Sequence, residues 1–141
     1  MSIKGPIVLV DDDADDQHLV ELLLKQLNIP NPLHCLTNGL EAIQYLETTE
    51  EQPFIILSDV NMPVMDGIEF RRRIQASEYL RRKAIPFIYL TTAADRPMVQ
   101  AAYDATVQGF FIKSTSYSGL KQQLQCIIEY WKSCLHPNSW L

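Results

Sequence analysis

The chain has 141 residues, enough for one domain with a sizeable core, and 47% of them are hydrophobic, which argues against intrinsic disorder. Seventeen acidic and twelve basic residues give a net charge of -5, which argues against nucleic acid as the main ligand because phosphate backbones select for basic faces. Three cysteines without a CxxC pair argue against zinc and redox motifs, and free thiols indicate the cytoplasm. No apolar run approaches the roughly 20 residues that a membrane helix needs, so no membrane contact is expected.

Five short apolar runs are predicted to be β-strands, in chain order 7–10, 33–36, 54–57, 87–90 and 110–112. The run at 33–36 is the weakest because it contains His34. The continuous apolar residues of the others are typical of strands buried on both faces of a parallel sheet. The segments between and after them have helical periodicity, namely 20–27, 42–46, 70–74, 95–104 and 117–131. The stretch 77–83 is expected to lengthen the third helix or to add a turn. Alternating strands and helices predict an α/β fold with helices on both faces of a parallel sheet, in a single domain spanning 1–141.

Polar residues follow four of the predicted strands: Asp11, Asp12 and Asp13; Ser58 and Asp59; Thr91 and Thr92; and Lys113. The carboxyl ends of parallel strands form the ligand-binding edge of such sheets, so these groups are expected to converge. Several carboxylates at one edge repel one another, and a hard divalent cation such as Mg²⁺ would relieve that repulsion. A carboxylate, a metal, a lysine and a hydroxyl together can receive a phosphoryl group, because the carboxylate attacks while the cations offset the phosphoryl charge.

Four segments, 8–12, 57–67, 86–91 and 109–113, resemble in order the motifs of response regulator receiver domains of two-component signalling. The resemblance covers nearly the whole chain. It implies a flavodoxin-like, doubly wound sheet of five strands in the order 2-1-3-4-5 with five helices. The Thr91-Thr92 pair and Tyr130-Trp131 resemble in particular a subgroup of stand-alone receivers, some of which serve phytochrome-type sensor kinases.

The resemblance also implies a role for each matching residue in the predicted metal and phosphorylation site. Asp59 matches the phosphoacceptor. Asp11 and Asp12 match the acidic pair that holds Mg²⁺, with Asp12 as the direct ligand. Asn61 matches the position that offers its backbone carbonyl to the metal, so the implied ligand set is Asp11, Asp12, Asp59 and Asn61.

The same resemblance implies a switch beside the phosphoryl group. Thr91 matches the hydroxyl that moves towards it, and Thr92 would present its backbone amide to a phosphoryl oxygen. Lys113 matches the lysine that pairs with the phosphoryl group. Phe110 matches the aromatic switch position, whose ring turns inward when the threonine moves, although the same residue could serve only as core.

One departure from the family concerns the residue after Lys113, where the family usually has a proline and often a cis bond. Here Ser114 follows, and a cis bond before a non-proline residue costs roughly 3 kcal/mol more than the trans form. The isomer of this bond is left open. Asp13, Asp15 and Asp16 are expected to serve the start of the first helix, although Asp13 could add charge to the pocket.

The site residues predict a phosphorylation switch, and the resemblance implies that it receives its phosphoryl group from a histidine kinase or relay protein and acts on a downstream protein, without being an enzyme. The face formed by the fourth helix, fifth strand and fifth helix matches the one that receivers use for homodimers or targets. An aspartyl-phosphatase needs a second acid two residues after the nucleophile, where this chain has Asn61. A flavodoxin-like cofactor binder needs a phosphate-binding loop where this chain has three aspartates. A pseudo-receiver that binds partners without phosphorylation stays open as the alternative.

Overall fold

The apolar runs form one parallel sheet in the structure, a computed structural model that describes residues 2–136. The strands are β1 (Ile7–Val10), β2 (Leu33–Leu36), β3 (Ile55–Ser58), β4 (Phe87–Thr91) and β5 (Gly109–Ile112). Their order is β2-β1-β3-β4-β5, which confirms the predicted flavodoxin-like arrangement. The three central strands are buried at every position and the two edge strands only in part, which explains why the run of β2 is the weakest in sequence. Met1 and residues 137–141 of the proposed single domain lie outside the described residues.

Within residues 2–136, six α-helices accompany the sheet, one more than expected, besides a short 3-10 helix at Ser2–Lys4. They are α1 (Ala14–Gln26), α2 (Gly39–Thr48), α3 (Gly67–Ala76), α4 (Glu78–Arg82), α5 (Arg96–Asp104) and α6 (Tyr117–Ser133). The stretch 77–83 does not extend α3, because Ser77 adopts an extended backbone and its hydroxyl accepts a hydrogen bond from the Leu80 amide, which caps the separate helix α4. Among residues 2–136, no helix combines the length and the apolar composition needed to cross a membrane.

Two hydrophobic cores lie on opposite faces of the sheet, because successive strand residues point to opposite sides. Val8, Val10 and Ile56 pack with apolar residues of α2, α3, α4 and α5. Ile7 and Leu9 belong to the other core, which apolar residues of α1 and α6 complete. Burial of each large aliphatic or aromatic side chain contributes about 1.5–3 kcal/mol, so the two cores fix the strand register and with it the side chains that follow the strands.

Val64, in the loop between β3 and α3, has a backbone φ of 67°, a left-handed conformation that is strained for a β-branched residue. Its side chain is 79% exposed, so packing does little to offset the strain. We expect Val64→Gly to raise the free energy of unfolding by about 0.5–1 kcal/mol, because relief of roughly 1–2 kcal/mol exceeds the entropy cost of glycine. Urea denaturation would measure this. Val64→Ala keeps a Cβ and serves as the control; a glycine variant no more stable than the alanine variant would contradict the prediction.

Candidate functional site at the carboxyl edge of the sheet

Three carboxylates lie together beyond the ends of β1 and β3. The Asp59 amide donates to the Val10 carbonyl at 2.9 Å, which continues the parallel ladder one residue past β3 and places Asp59 beside the end of β1. One carboxylate oxygen each from Asp11, Asp12 and Asp59 lies within 4.8 Å of the others. The predicted convergence of these acids is therefore observed, and it concentrates negative charge in one small pocket.

The chemistry of this donor set fits a hard divalent cation. All three side chains offer oxygen, and their exposure is graded: Asp11 is buried, Asp59 is half-buried and Asp12 is exposed. A cation held here would be open to solvent on the side of Asp12, and Mg²⁺ characteristically keeps several waters alongside one or two carboxylates. Asn61 lies two residues after Asp59 in the exposed part of the loop, and its role as a carbonyl ligand stays a prediction.

The loop after β3 is held by the start of α3. The Val60 amide donates to Asp59 Oδ1 at 2.7 Å, and the Gly67 amide donates to the Val60 carbonyl at 2.7 Å. A Cβ at Gly67 would collide with the Asp59 carbonyl oxygen, so only glycine lets the helix begin this close. Asp66 caps the helix by accepting from the Glu69 amide at 2.9 Å, in line with the turn expected at 66–67.

Asp11 is the most buried acid of the pocket, with 2% of its surface exposed. Its Oδ1 accepts from the Asp13 amide at 2.9 Å and its Oδ2 from Lys113 Nζ at 3.1 Å. Burial raises the pKa of Asp11, and the charge of Asp59 raises it further, whereas the Asp13 amide and the Lys113 ammonium lower it without cancelling the burial. A bound cation would lower the cost of keeping this carboxylate ionised.

Lys113 follows β5 and reaches into the pocket with a buried ammonium. Besides Asp11, it donates to Asp16 Oδ2 at 2.9 Å. Burial by itself lowers the pKa of Lys113, but the hydrogen bonds and charges of Asp16 and Asp11 outweigh it, so the pKa is raised. Lys113 is therefore a fixed cation at the site, as the sequence predicted.

Asp16 is a residue of this site that sequence reasoning missed, because an acid in the first turn of a helix is well explained by the helix start alone. Asp13 does cap α1, accepting from the Asp15 amide at 2.8 Å, and Asp15 is exposed. Asp16 differs from them in turning back towards Lys113. The available signal was its position one helical turn after Asp12, on a helix that starts directly at the acidic strand end.

Of the other predicted switch residues, Thr91 ends β4, Thr92 follows it and Phe110 lies within β5. Thr91 is fully buried, and its hydroxyl makes a long hydrogen bond of 3.5 Å to the Ala93 carbonyl, while Thr92 is exposed. The half-buried Phe110 ring packs on Tyr89 with 5.4 Å between centroids. The Tyr89 hydroxyl donates to the Gly67 carbonyl at 2.6 Å, so this aromatic pair connects β5 to the start of α3.

The bond between Lys113 and Ser114 is trans, as is every peptide bond among residues 2–136. This answers the question that the sequence left open. Ser114 keeps an amide hydrogen that a proline would lack, and that amide donates to Gln123 Oε1 at 3.0 Å.

A family model described as "Response regulator receiver domain" matches residues 7–125. Response regulator Rcp1 of Synechocystis sp. is 34% identical over 130 residues, covering 89% of this chain and 87% of that protein. The crystal structure of the phosphorylated cyanobacterial phytochrome response regulator RcpA matches with a TM-score of 0.86 at 30% identity, over 96% of this chain and 99% of that one. The Mn²⁺-bound form of Rcp1 matches with a TM-score of 0.80 at 33% identity, over 94% and 97% of the two chains. Fold, site and relatives thus agree, and the chain belongs to the response regulator receiver domain family.

Proposed function

We propose that the protein is a stand-alone, cytoplasmic response regulator whose Asp59 accepts a phosphoryl group from a sensor histidine kinase or phosphotransfer protein in the presence of Mg²⁺. The observation that carries the proposal is the meeting of three carboxylates with the buried ammonium of Lys113 at one edge of the sheet. The likeness to Rcp1 and to phosphorylated RcpA supports it. Nucleic acid and membrane are not among the proposed partners.

In the proposed reaction, an Asp59 carboxylate oxygen attacks the phosphorus of a phosphohistidine. An O–P bond forms at Asp59, the P–N bond of the donor breaks, and the leaving imidazole nitrogen takes a proton. Asp11, Asp12, Asp59 and the Asn61 carbonyl would hold Mg²⁺, which offsets negative charge on the phosphoryl oxygens when bound. Lys113 would offset the same negative charge from the end of β5. The proposed reaction ends with the phosphorylated protein and converts no further substrate.

Phosphorylation would act on the switch residues through hydrogen bonding. The bond from the Thr91 hydroxyl to the Ala93 carbonyl, at 3.5 Å, is long enough to be exchanged readily for one to a phosphoryl oxygen. Movement of Thr91 would change the space available to the Phe110 ring, and the Thr92 amide would bind another phosphoryl oxygen. Phosphorylation would thus lower the free energy of the arrangement in which Thr91 has moved towards the phosphoryl group, relative to the arrangement in which it has not. This difference would bias the conformational equilibrium.

Phosphorylation would change partner binding at the face formed by α5, β5 and α6, which is the fourth-helix, fifth-strand and fifth-helix face of the sequence prediction. This face carries exposed apolar side chains from all three elements: Tyr103 (50% exposed), Ile112 (51%) and Tyr117 (45%). Exposed apolar side chains on each of the three elements suit a protein partner, either a second copy of the chain in a homodimer or a downstream protein.

Intact mass spectrometry after incubation with Mg²⁺ and acetyl phosphate tests the proposal. We expect one phosphoryl adduct on the wild-type protein, and none with the Asp59→Asn variant or with a chelator, because each removes a part that the transfer requires. Asp66→Asn, which changes an exposed acid later in the same loop, should still form the adduct. A folded wild-type protein that binds Mg²⁺ but forms no adduct would favour the alternative, a pseudo-receiver that binds partners without phosphorylation.

A further inference from the structure

The backbone on both sides of Lys113 is bound by a single side chain from α6. Gln123 Oε1 accepts a hydrogen bond from the Ser114 amide at 3.0 Å, and Gln123 Nε2 donates to the Ile112 carbonyl at 2.8 Å. The side-chain amide of Gln123 therefore pairs with one donor and one acceptor of the main chain. Lys113 is the residue that lies between those two groups.

This contact depends on the residue that follows Lys113. Ser114 supplies an N–H, which a proline at that position could not, and its trans peptide bond directs that N–H to Gln123. The two hydrogen bonds restrain the torsion angles on either side of Lys113. They thereby fix the direction in which its side chain leaves the backbone.

The start of α6 is built to approach this loop closely. A Cβ at Gly119 would collide with Ser114 Oγ, so glycine allows the first turn of the helix to lie against the loop. Ser116 caps the same turn by accepting from the Gly119 amide at 3.0 Å. Gln123 lies four residues after Gly119, on the same face of the helix, which directs its amide at the peptide groups flanking Lys113.

The far end of the lysine is fixed by ion pairs. Its Nζ lies 3.1 Å from Asp11 Oδ2 and 2.9 Å from Asp16 Oδ2. A lysine side chain has four rotatable bonds, so charge partners at the tip do not by themselves fix the backbone end. The Lys113 amide donates to the Thr91 carbonyl at 2.6 Å, which leaves the Ile112 carbonyl and the Ser114 amide as the flanking groups that Gln123 binds. Gln123 adds to the restraint of that end, and with both ends held the ammonium keeps one position beside Asp11 and Asp16 at the carboxylate pocket.

We propose that Gln123 is a positioning residue for phosphoryl transfer, which holds Lys113 in place through the two flanking peptide groups. The proposal rests on the function proposed above. Gln123 touches neither the phosphoryl group nor the metal, and it acts only through Lys113. Loss of the Gln123 side chain should therefore slow the transfer step without weakening Mg²⁺ binding, since the carboxylates that would hold the metal lie on other elements.

The test compares Gln123→Ala with Gln122→Ala, the same substitution at the adjacent, exposed position of α6. We expect Gln123→Ala to lower the rate constant for phosphorylation by acetyl phosphate at saturating Mg²⁺ by about tenfold, since misplacing a catalytic group by a fraction of an ångström has effects of this order. The Mg²⁺ dissociation constant and the urea midpoint should stay close to wild type. The NMR signals of the Lys113 side chain should shift. Gln122→Ala should match the wild type in all four measurements.

A second comparison uses the background Ser114→Pro, which lacks the N–H that Gln123 binds. There, Gln123→Ala should lower the rate less than it does in the native background, because one of its two hydrogen bonds is already absent. An equal loss in both backgrounds would overturn the proposal. So would a wild-type rate for Gln123→Ala, or a loss of rate matched by losses of Mg²⁺ affinity and stability. If the wild-type protein itself formed no adduct, the proposed function would fail first, and the two failures are thus distinguishable.

Discussion

We expect Lys113→Met to lower the free energy of unfolding in metal-free buffer by about 3 kcal/mol, the lower end of the range for removing one partner of a buried ion pair. The Lys113 and Asp11 side chains are 7% and 3% exposed, so water screens little of their interaction. Without the ammonium, Asp11 would stay buried beside Asp12 and Asp59 with no cation. The loss should not exceed this value greatly, because Asp11 can instead take up a proton.

The stability loss of Lys113→Met should depend on pH, because Asp11 can take up that proton. The pKa of Asp11 is already raised in the folded protein, mainly by burial, and loss of Lys113 would raise it further. A carboxyl with a raised folded-state pKa binds protons more readily in the folded than in the unfolded state, so its unfavourable effect grows as pH rises through the folded-state pKa. The free energy of unfolding that Lys113→Met loses relative to wild type should therefore be largest at neutral pH and shrink on acidification.

Two variants make the measurement specific when urea unfolding is followed in the presence of a chelator. Lys25→Met removes an exposed ion pair with Glu21 on α1 and should cost no more than about 0.5 kcal/mol. Adding Asp11→Asn to Lys113→Met removes the stranded charge and should recover most of the loss. If Lys113→Met were as mild as Lys25→Met, Asp11 and Lys113 would not form a buried pair in solution.

The parallel sheet was predictable because strands buried on both faces leave continuous apolar runs, and these runs mark β1, β3 and β4 clearly. The order of the strands was predictable only through the resemblance to receiver domains. The position of Asp11, Asp59, Thr91 and Lys113 at one edge was predictable for a related reason, since each ends a strand or directly follows one. The roles of these residues in phosphoryl transfer stay predictions.

The parts that could not be predicted depend on side-chain direction and on choices between similar local conformations. Asp16 and Gln123 lie on helices, and their sequence positions do not reveal which of several faces contacts the loop after β5. The break at Ser77 depends on one capping hydrogen bond that competes with continuation of α3. The trans bond before Ser114 is the intrinsically favoured isomer, but the resemblance to a family with proline there left it open.

The second large effect that we expect is a gain in the free energy of unfolding when Mg²⁺ binds. At a concentration one hundred times its dissociation constant, a ligand that binds only the folded state adds about 2.7 kcal/mol to the free energy of unfolding. We expect the wild-type protein to show a gain of this order with Mg²⁺, and Asp12→Asn to lose most of it at the same concentration. In metal-free buffer the sign should reverse, and Asp12→Asn should be slightly more stable than wild type because one of three clustered negative charges is gone.

This reversal of sign separates a metal ligand from an ordinary surface acid. Asp15→Asn is the matched control, because Asp15 is an exposed acid of the same run that lies outside the carboxylate cluster. The Asp15→Asn variant should lose a little stability, equally with and without Mg²⁺, because it removes a negative charge that stabilises the amino-terminal end of α1. Urea titrations with and without Mg²⁺, matched in ionic strength, would measure both variants. Equal Mg²⁺-dependent gains in Asp12→Asn and Asp15→Asn would exclude Asp12 as a ligand, and no gain in the wild type would exclude the metal site itself.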